Sequence, residues 1–292
     1  VTLTPLLKER VWGTKALPAW LPKPSGEGPI GEAWLTAEEC PGVDGKTLGA
    51  LVAAAPEVFG AGDGAGFPLL LKLLFPEERL SVQVHPNDAQ AQAMGLPRGK
   101  TECWYVVSAE AGATVAVGLV EPMTEAAMRA AIADGSIEQK MRYLPVKAGD
   151  MVYVDAGTVH AIGPGVVILE TQQYSDVTYR LYDYGRPREL HLEAGLAVTR
   201  QSQAAGLVAP EAMDGFTRLV ASDYFVVDRF AADAALGMED RMQVLVALGN
   251  GASVGETALL PGHAVVLPGE GVGSVLKVPK GVEVLRVTSS KS

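Results

Sequence analysis

The sequence predicts a mainly β protein built as two jelly-roll-like β-barrels, residues 1–205 and 206–292, with a small helical insertion near residues 121–133. Three observations carry that prediction. Short apolar or alternating runs recur along the chain and are separated by Gly and Pro at close spacing, the pattern of sandwiches and barrels. Helical signals are few, and the clearest one stands alone inside strand-rich sequence. The chain also echoes itself: Gly149, Asp155, Gly157 and His160 in one half resemble Gly262, Pro268, Gly269 and Gly271 in the other. The second copy has only Gly273 or Ser274 where the first has His160, so one barrel is expected to hold a metal and the other not.

Taken in order, residues 1–36 are loop-rich and end in a short strand, Ile30-Gly31-Glu32-Ala33-Trp34-Leu35. Thr47 to Phe59 reads as a helix capped by Thr47, interrupted at Pro56 and ended by Gly60. The seven-residue run from Leu69 to Phe75, bounded by Pro68 and Pro76, is a buried strand carrying a lone Lys72. Leu80-Ser81-Val82-Gln83-Val84-His85 alternates at period two, so Ser81, Gln83 and His85 share one face of a strand. Pro86 ends the pairing because it has no N–H to donate. Gly99 to Val107 is the next strand, with Lys100, Glu102 and Trp104 on one face. Thr124 caps a helix running to about Ala133. Strands return at Arg142–Val146, Asp150–Val154, Val166–Glu170 and Val177–Leu181, and again from Phe216 to the end; residues 196–215 read as a linker or helix.

Composition limits the function. The 292 residues carry a net charge of −10, a poor match to nucleic acid or to an anionic membrane. No apolar run reaches the ~18–20 residues of a membrane span, and the first residues, charged at Lys8, Glu9 and Arg10, show no signal-peptide pattern. Two cysteines, Cys40 and Cys103, cannot form a disulfide framework, so a reducing, cytoplasmic setting is expected.

His85, Glu102 and His160 are the expected metal triad. His85 ends an alternating strand, Glu102 shares a strand face with Lys100 and Trp104, and His160 follows the turn Gly157-Thr158-Val159. Imidazole and carboxylate suit a divalent ion such as zinc. Gln83 is the weaker fourth candidate, since a side-chain amide is a poor zinc ligand. Lys72, Lys100, Arg180 and Arg186 form the cation cluster that a phosphate requires.

Three motifs, Gln83-Val84-His85-Pro86, Gly99-Lys100-Thr101-Glu102-Cys103-Trp104-Tyr105 and Gly157-Thr158-Val159-His160-Ala161, resemble those of the type I mannose-6-phosphate isomerases of the cupin superfamily. So do Lys8-Glu9-Arg10-Val11-Trp12-Gly13, Ile30-Gly31-Glu32-Ala33-Trp34 and Thr178-Tyr179-Arg180, a spread from residue 6 to about 190. The length is similar to that of the short bacterial form.

The resemblance implies a zinc enzyme, one ion per chain, that interconverts mannose 6-phosphate and fructose 6-phosphate as a monomer or homodimer. It places His85, Glu102, His160 and Gln83 on the metal, and Arg180 as the active-site arginine. Lys100, Glu170, Ser81, Lys72 and Arg186 would line the pocket, with Arg186 standing where some relatives carry Lys. Glu170, Lys100 or a metal-bound water would carry the proton. Another metal-dependent cupin enzyme, or a sugar-binding cupin without catalysis, is the alternative reading. The tyrosines of residues 179–184 receive no role.

Overall fold

The structure, a computed structural model, describes residues 1–42, 45–201, 205–236, 241–269 and 273–290. The chain divides into two compact units: Val1–Arg10, Lys15–Leu74 and Val208–Ser292 in one, Val11–Thr14 and Phe75–Leu207 in the other.

The unit that carries the metal triad contains nine strands of interest: β1 (Val82–Val84), β2 (Glu102–Ala109), β3 (Thr114–Leu119), β4 (Met141–Pro145), β5 (Met151–Val154), β6 (His160–Ile162), β7 (Val166–Gln173), β8 (Tyr179–Tyr182) and β9 (Gly206–Leu207). Its helices are α1 (Asp88–Ala93), α2 (Glu125–Asp134), α3 (Ile137–Lys140) and α4 (Leu192–Val198). Five strands form one sheet in the order β8-β1-β6-β3-β4, and β9-β5-β2-β7 run side by side in another. The pairings within both are antiparallel.

Helices, not a second sheet, cover one face of the five-stranded sheet. Val82, Val84, Ala116, Ala161 and Leu181 of that sheet form a buried cluster with Met128, Ala131 and Ile132 of α2, Ile137 of α3, and Leu196 and Val198 of α4. Val82 and Val84 therefore face helices, and Gln83 between them faces the other way, as the period of two requires. Thr124 accepts from the backbone N–H of Ala127 and starts α2; Gly135 ends it in the left-handed region at φ 80°.

In the other unit, one sheet runs in the order Thr2–Leu3, Ala264–Leu267, Gln243–Ala247, Val284–Ser289, Phe225–Phe230, Thr217–Ala221, Glu211–Ala212. A four-stranded sheet adds Ala234–Leu236, Ser274–Lys277, Ser253–Val254 and Thr257–Ala258. Phe230, Leu245, Val265 and Val284 pack with Leu236, Val254 and Leu276 as their common core. Inside the first sheet the buried Asp228 takes charged hydrogen bonds from Arg218 and Arg286 at 2.8 and 2.7 Å. Thr47 caps the helix Leu48–Ala54, and Pro56 begins a separate 3-10 turn, Glu57–Phe59, closed by Gly60 at φ 70°.

Among the described residues the protein is mixed α/β with four open sheets, none of which closes into a barrel, so the double-barrel cupin expectation is overturned. Alternation specifies that a segment is a strand and which face it buries, but closure needs a hydrogen-bonded pair between the first and last strands. No such pair joins the ends of any sheet order among the described residues. The five-stranded sheet ends at β4, where Pro145 lacks the N–H another strand would need. Helix was also under-read. Between Pro86 and Gly99, where the sequence predicts no element, Asp88–Ala93 form α1, started by a capping box between Asn87 and Gln90. In the loop-rich start, Leu6–Thr14 is a nine-residue strand.

The internal echo survives as a local feature. Gly149 and Gly262 both take positive φ, 88° and 76°, and each precedes a strand. Its continuation at Gly271 falls outside the described residues.

Candidate metal centre and anion site

The row that positions the centre runs across the five-stranded sheet. Gln83 on β1 lies directly opposite His160 on β6 and Arg180 on β8. Residues directly opposite in an antiparallel pair project to the same face. One face thus presents an arginine, an amide and an imidazole in a line. In the other sheet Glu102 on β2 stands opposite Gln172 on β7, and Trp104 stands opposite Glu170. Glu102, Trp104, Glu170 and Gln172 share a face by the same rule.

His85, Glu102 and His160 meet in the buried interior, with one ligand atom of each lying within 4.8 Å of the others. His85 Nε2 is 3.6 Å from Glu102 Oε2, and His160 Nε2 is 3.3 Å from Glu102 Oε1. The tautomers follow from the second ring nitrogen. His85 Nδ1 lies 2.9 Å from the Val177 carbonyl, and His160 Nδ1 lies 2.8 Å from the Thr158 carbonyl. A carbonyl only accepts, so each Nδ1 carries the proton, and each Nε2 presents its lone pair to the cluster. Burial pulls the His160 imidazole below the ordinary histidine range, against the upward pull of Glu102. Two imidazoles and a carboxylate around one point are the donor set of a divalent cation.

Short-range backbone links lock the three ligand segments together. The Gly157 N–H donates to the His85 carbonyl at 2.8 Å, and the Ala156 N–H to Thr101 Oγ1 at 3.3 Å. Gln173 accepts from the Thr101 N–H at 2.9 Å and donates to Asp88 at 2.8 Å; Asp88 also accepts from the Gly99 N–H at 2.8 Å. Gly99 has to be glycine, since a Cβ there would stand 2.4 Å from the Asn87 carbonyl carbon and 2.5 Å from the Pro86 oxygen. This bracket holds the loop that carries Lys100. Asp88 and Gln173, 85 residues apart, were not legible in the sequence.

The remaining expected site residues fall as follows. Lys100 is buried, and its Nζ lies 3.0 Å from Glu102 Oε2. Burial lowers its pKa, but Glu102, Glu170 and Asp176 more than offset that and hold it as an ammonium ion. Glu170 and Ser81 are both buried. Arg180 is half-buried; one guanidinium nitrogen donates to the Glu189 carbonyl at 2.7 Å, while its buried Nε has no hydrogen-bond partner among the described residues. Burial, then the neighbouring Arg188 and Arg186, weaken its hold on its proton. Lys72 belongs to the other unit, where its Nζ sits 4.7 Å from the centre of the Trp34 ring and Glu32 is the neighbouring carboxylate.

Arg186 has partners that its sequence context hid. It donates to Asp183 at 2.7 Å and to the Arg79 carbonyl at 2.8 Å, while Arg188 donates to Asp183 at 2.6 and 2.7 Å. The Asp183 side chain is 2% exposed. Burial alone would raise its pKa, but hydrogen bonds from Arg188 and Arg186 outweigh that and hold it below the usual carboxylate range. The tyrosines also gain a place here. Tyr184 adopts φ 55°, unusual for a bulky residue, and its ring lies 5.5 Å from the Arg186 guanidinium and 5.9 Å from that of Arg79.

Asp183→Ala is therefore expected to cost about 2 kcal/mol in urea unfolding at neutral pH. That is below the ~3–5 kcal/mol of a fully buried pair, because both arginines keep access to water. A carboxyl with a depressed folded pKa stabilises above its unfolded value and loses that contribution as pH falls. The gap between wild type and variant should then narrow in acid, and an equal stability of the two at pH 7 would contradict this role.

Comparison with known proteins agrees with the geometry. A family model for "Phosphomannose isomerase type I, catalytic domain" matches residues 1–112. The chain is 36% identical over 285 residues to a mannose-6-phosphate isomerase of Streptococcus mutans, covering 90% of each chain. It is 41% identical over 210 residues to the mannose-6-phosphate isomerase ManA of Bacillus subtilis, covering 66% of each. Among solved structures, a mannose 6-phosphate isomerase from Bacillus subtilis superposes with a TM-score of 0.86 at 31% identity, over 98% of both chains.

Proposed function

The chain belongs to the type I mannose-6-phosphate isomerase family, and we propose that it interconverts mannose 6-phosphate and fructose 6-phosphate by moving a proton between C1 and C2 through an enediol. The observation that carries this reading is the buried His85–Glu102–His160 cluster, with both imidazole lone pairs turned to one point. Zn2+, one per chain, is the ion we assign to it; imidazole and carboxylate are its usual nitrogen and oxygen ligands, with Gln83 next to them on the same face. When bound there, zinc supplies a Lewis acid to the sugar oxygens.

The chain's own groups then divide the work. Glu170 takes and returns the proton, because Lys100 is held in its charged form and cannot act as the base. Lys100 instead offers a fixed ammonium to the charge that develops on the enediolate oxygen. Arg180, on the face shared with Gln83 and His160, opposes negative charge on the substrate. Ser81 and Arg186 are assigned to the phosphate. These catalytic residues lie in residues 1–205, while residues 206–292 hold none of the metal triad. Two free buried cysteines support a cytoplasmic setting.

An assay coupled to fructose 6-phosphate formation tests the proposal. Turnover of mannose 6-phosphate, abolished by a chelator and restored by zinc, is the expected result. No turnover with zinc present would overturn it.

A further inference from the structure

Gln172 is wholly buried on β7, opposite Glu102 and on the same face. Its amide orientation follows from its partners. Nε2 faces two backbone carbonyls, that of Gln173 at 3.1 Å and that of Ser175. Carbonyls accept only, so the amide nitrogen must stand there and the oxygen must stand on the other side. That oxygen, Oε1, is buried and has no hydrogen-bond partner among the described residues.

An amide oxygen taken out of water with no donor is costly to leave so. Among the described residues nothing supplies one. The two imidazole nitrogens turned inward are acceptors in the tautomers set by Val177 and Thr158. Glu102 offers only acceptor oxygens, and the Lys100 ammonium is directed to Glu102 Oε2 at 3.0 Å. A bound ligand would supply that donor.

We propose that Gln172 binds substrate, its Oε1 accepting a hydrogen bond from a hydroxyl of the sugar. Gln172 then helps set which sugar phosphates the enzyme accepts. This inference rests on the isomerase reading of the same site. A site built to accept a hydrogen bond discriminates against a ligand that lacks the donor, because its own polar atom is then left unpaired.

Gln172→Met keeps the side chain's length and removes the amide. The variant should keep its metal but melt below the wild-type temperature, because the carbonyls of Gln173 and Ser175 lose their donor. Its kcat/KM for mannose 6-phosphate should fall about tenfold or more, the worth of one hydrogen bond. In a series of monodeoxymannose 6-phosphates, one analogue should be discriminated against by wild type and not by the variant. Calorimetric binding of mannitol 6-phosphate gives a readout free of turnover, and its affinity should fall by a similar factor. Unchanged kcat/KM, identical deoxy-analogue ratios in the two proteins, or loss of metal from the variant would each overturn the assignment. Wild type that binds the polyol phosphate more tightly than the variant, yet isomerises nothing, would overturn the isomerase reading and leave Gln172 as a binding residue. Wild type that binds no hexose phosphate would overturn both.

Discussion

His160→Ala is expected to abolish turnover and to release the bound cation. The imidazole is wholly buried, its Nδ1 is fixed by the Thr158 carbonyl, and its Nε2 lies 3.3 Å from Glu102. Losing a hydrogen-bond partner of a metal ligand already costs ~10–100-fold in affinity or activity. Losing the ligand itself should exceed that. The truncation also leaves a cavity beside Trp104, whose ring centre is 5.5 Å away, so some loss of stability will accompany it. His160→Gln, closer in volume, separates the two effects: it should melt near wild type and still lack metal and activity. Full metal content in either variant would remove His160 from the centre.

Arg180→Ala should show the opposite split. Metal content should stay at the wild-type level, while kcat falls by about 10²–10³-fold, the range for removing one preorganised donor to a developing negative charge. The buried Nε is without a hydrogen-bond partner among the described residues, so the guanidinium keeps a donor for an anionic ligand. Arg180→Lys should recover little, because a point charge does not reproduce the planar fork. Loss of metal together with activity would instead make Arg180 a structural residue of the sheet that carries His160.

The triad was legible because each member carries a local mark. His85 closes an alternating strand at Pro86, Glu102 shares a parity with Lys100 and Trp104, and His160 follows a glycine turn. Capping residues Thr47 and Thr124 were legible for the same reason: the signal lies within four residues of the element it starts. Asn87 and Gln90 carried such a signal too, and a polar segment concealed it. Other features depend on distance in the chain. The Asp88–Gln173 bracket joins residues 85 apart, and no periodicity points to it. Sheet closure is likewise a property of strand order, so the alternation that located the strands could not distinguish open sheets from barrels. Asp183 was hidden differently. A carboxylate amid arginines reads as a solvated charged loop, and only its burial reveals it as the anchor of Arg186 and Arg188. Gln172 had no mark at all, since an amide next to another amide at a strand end is ordinary until its register against Glu102 is known.

The central claim is that His85, Glu102 and His160 hold one divalent ion on which activity depends. Elemental analysis of the purified protein, before and after chelation and with turnover measured on the same samples, tests it most directly. About one ion per chain, lost with activity and regained with it, is the predicted result. Full activity in a sample without metal would contradict it.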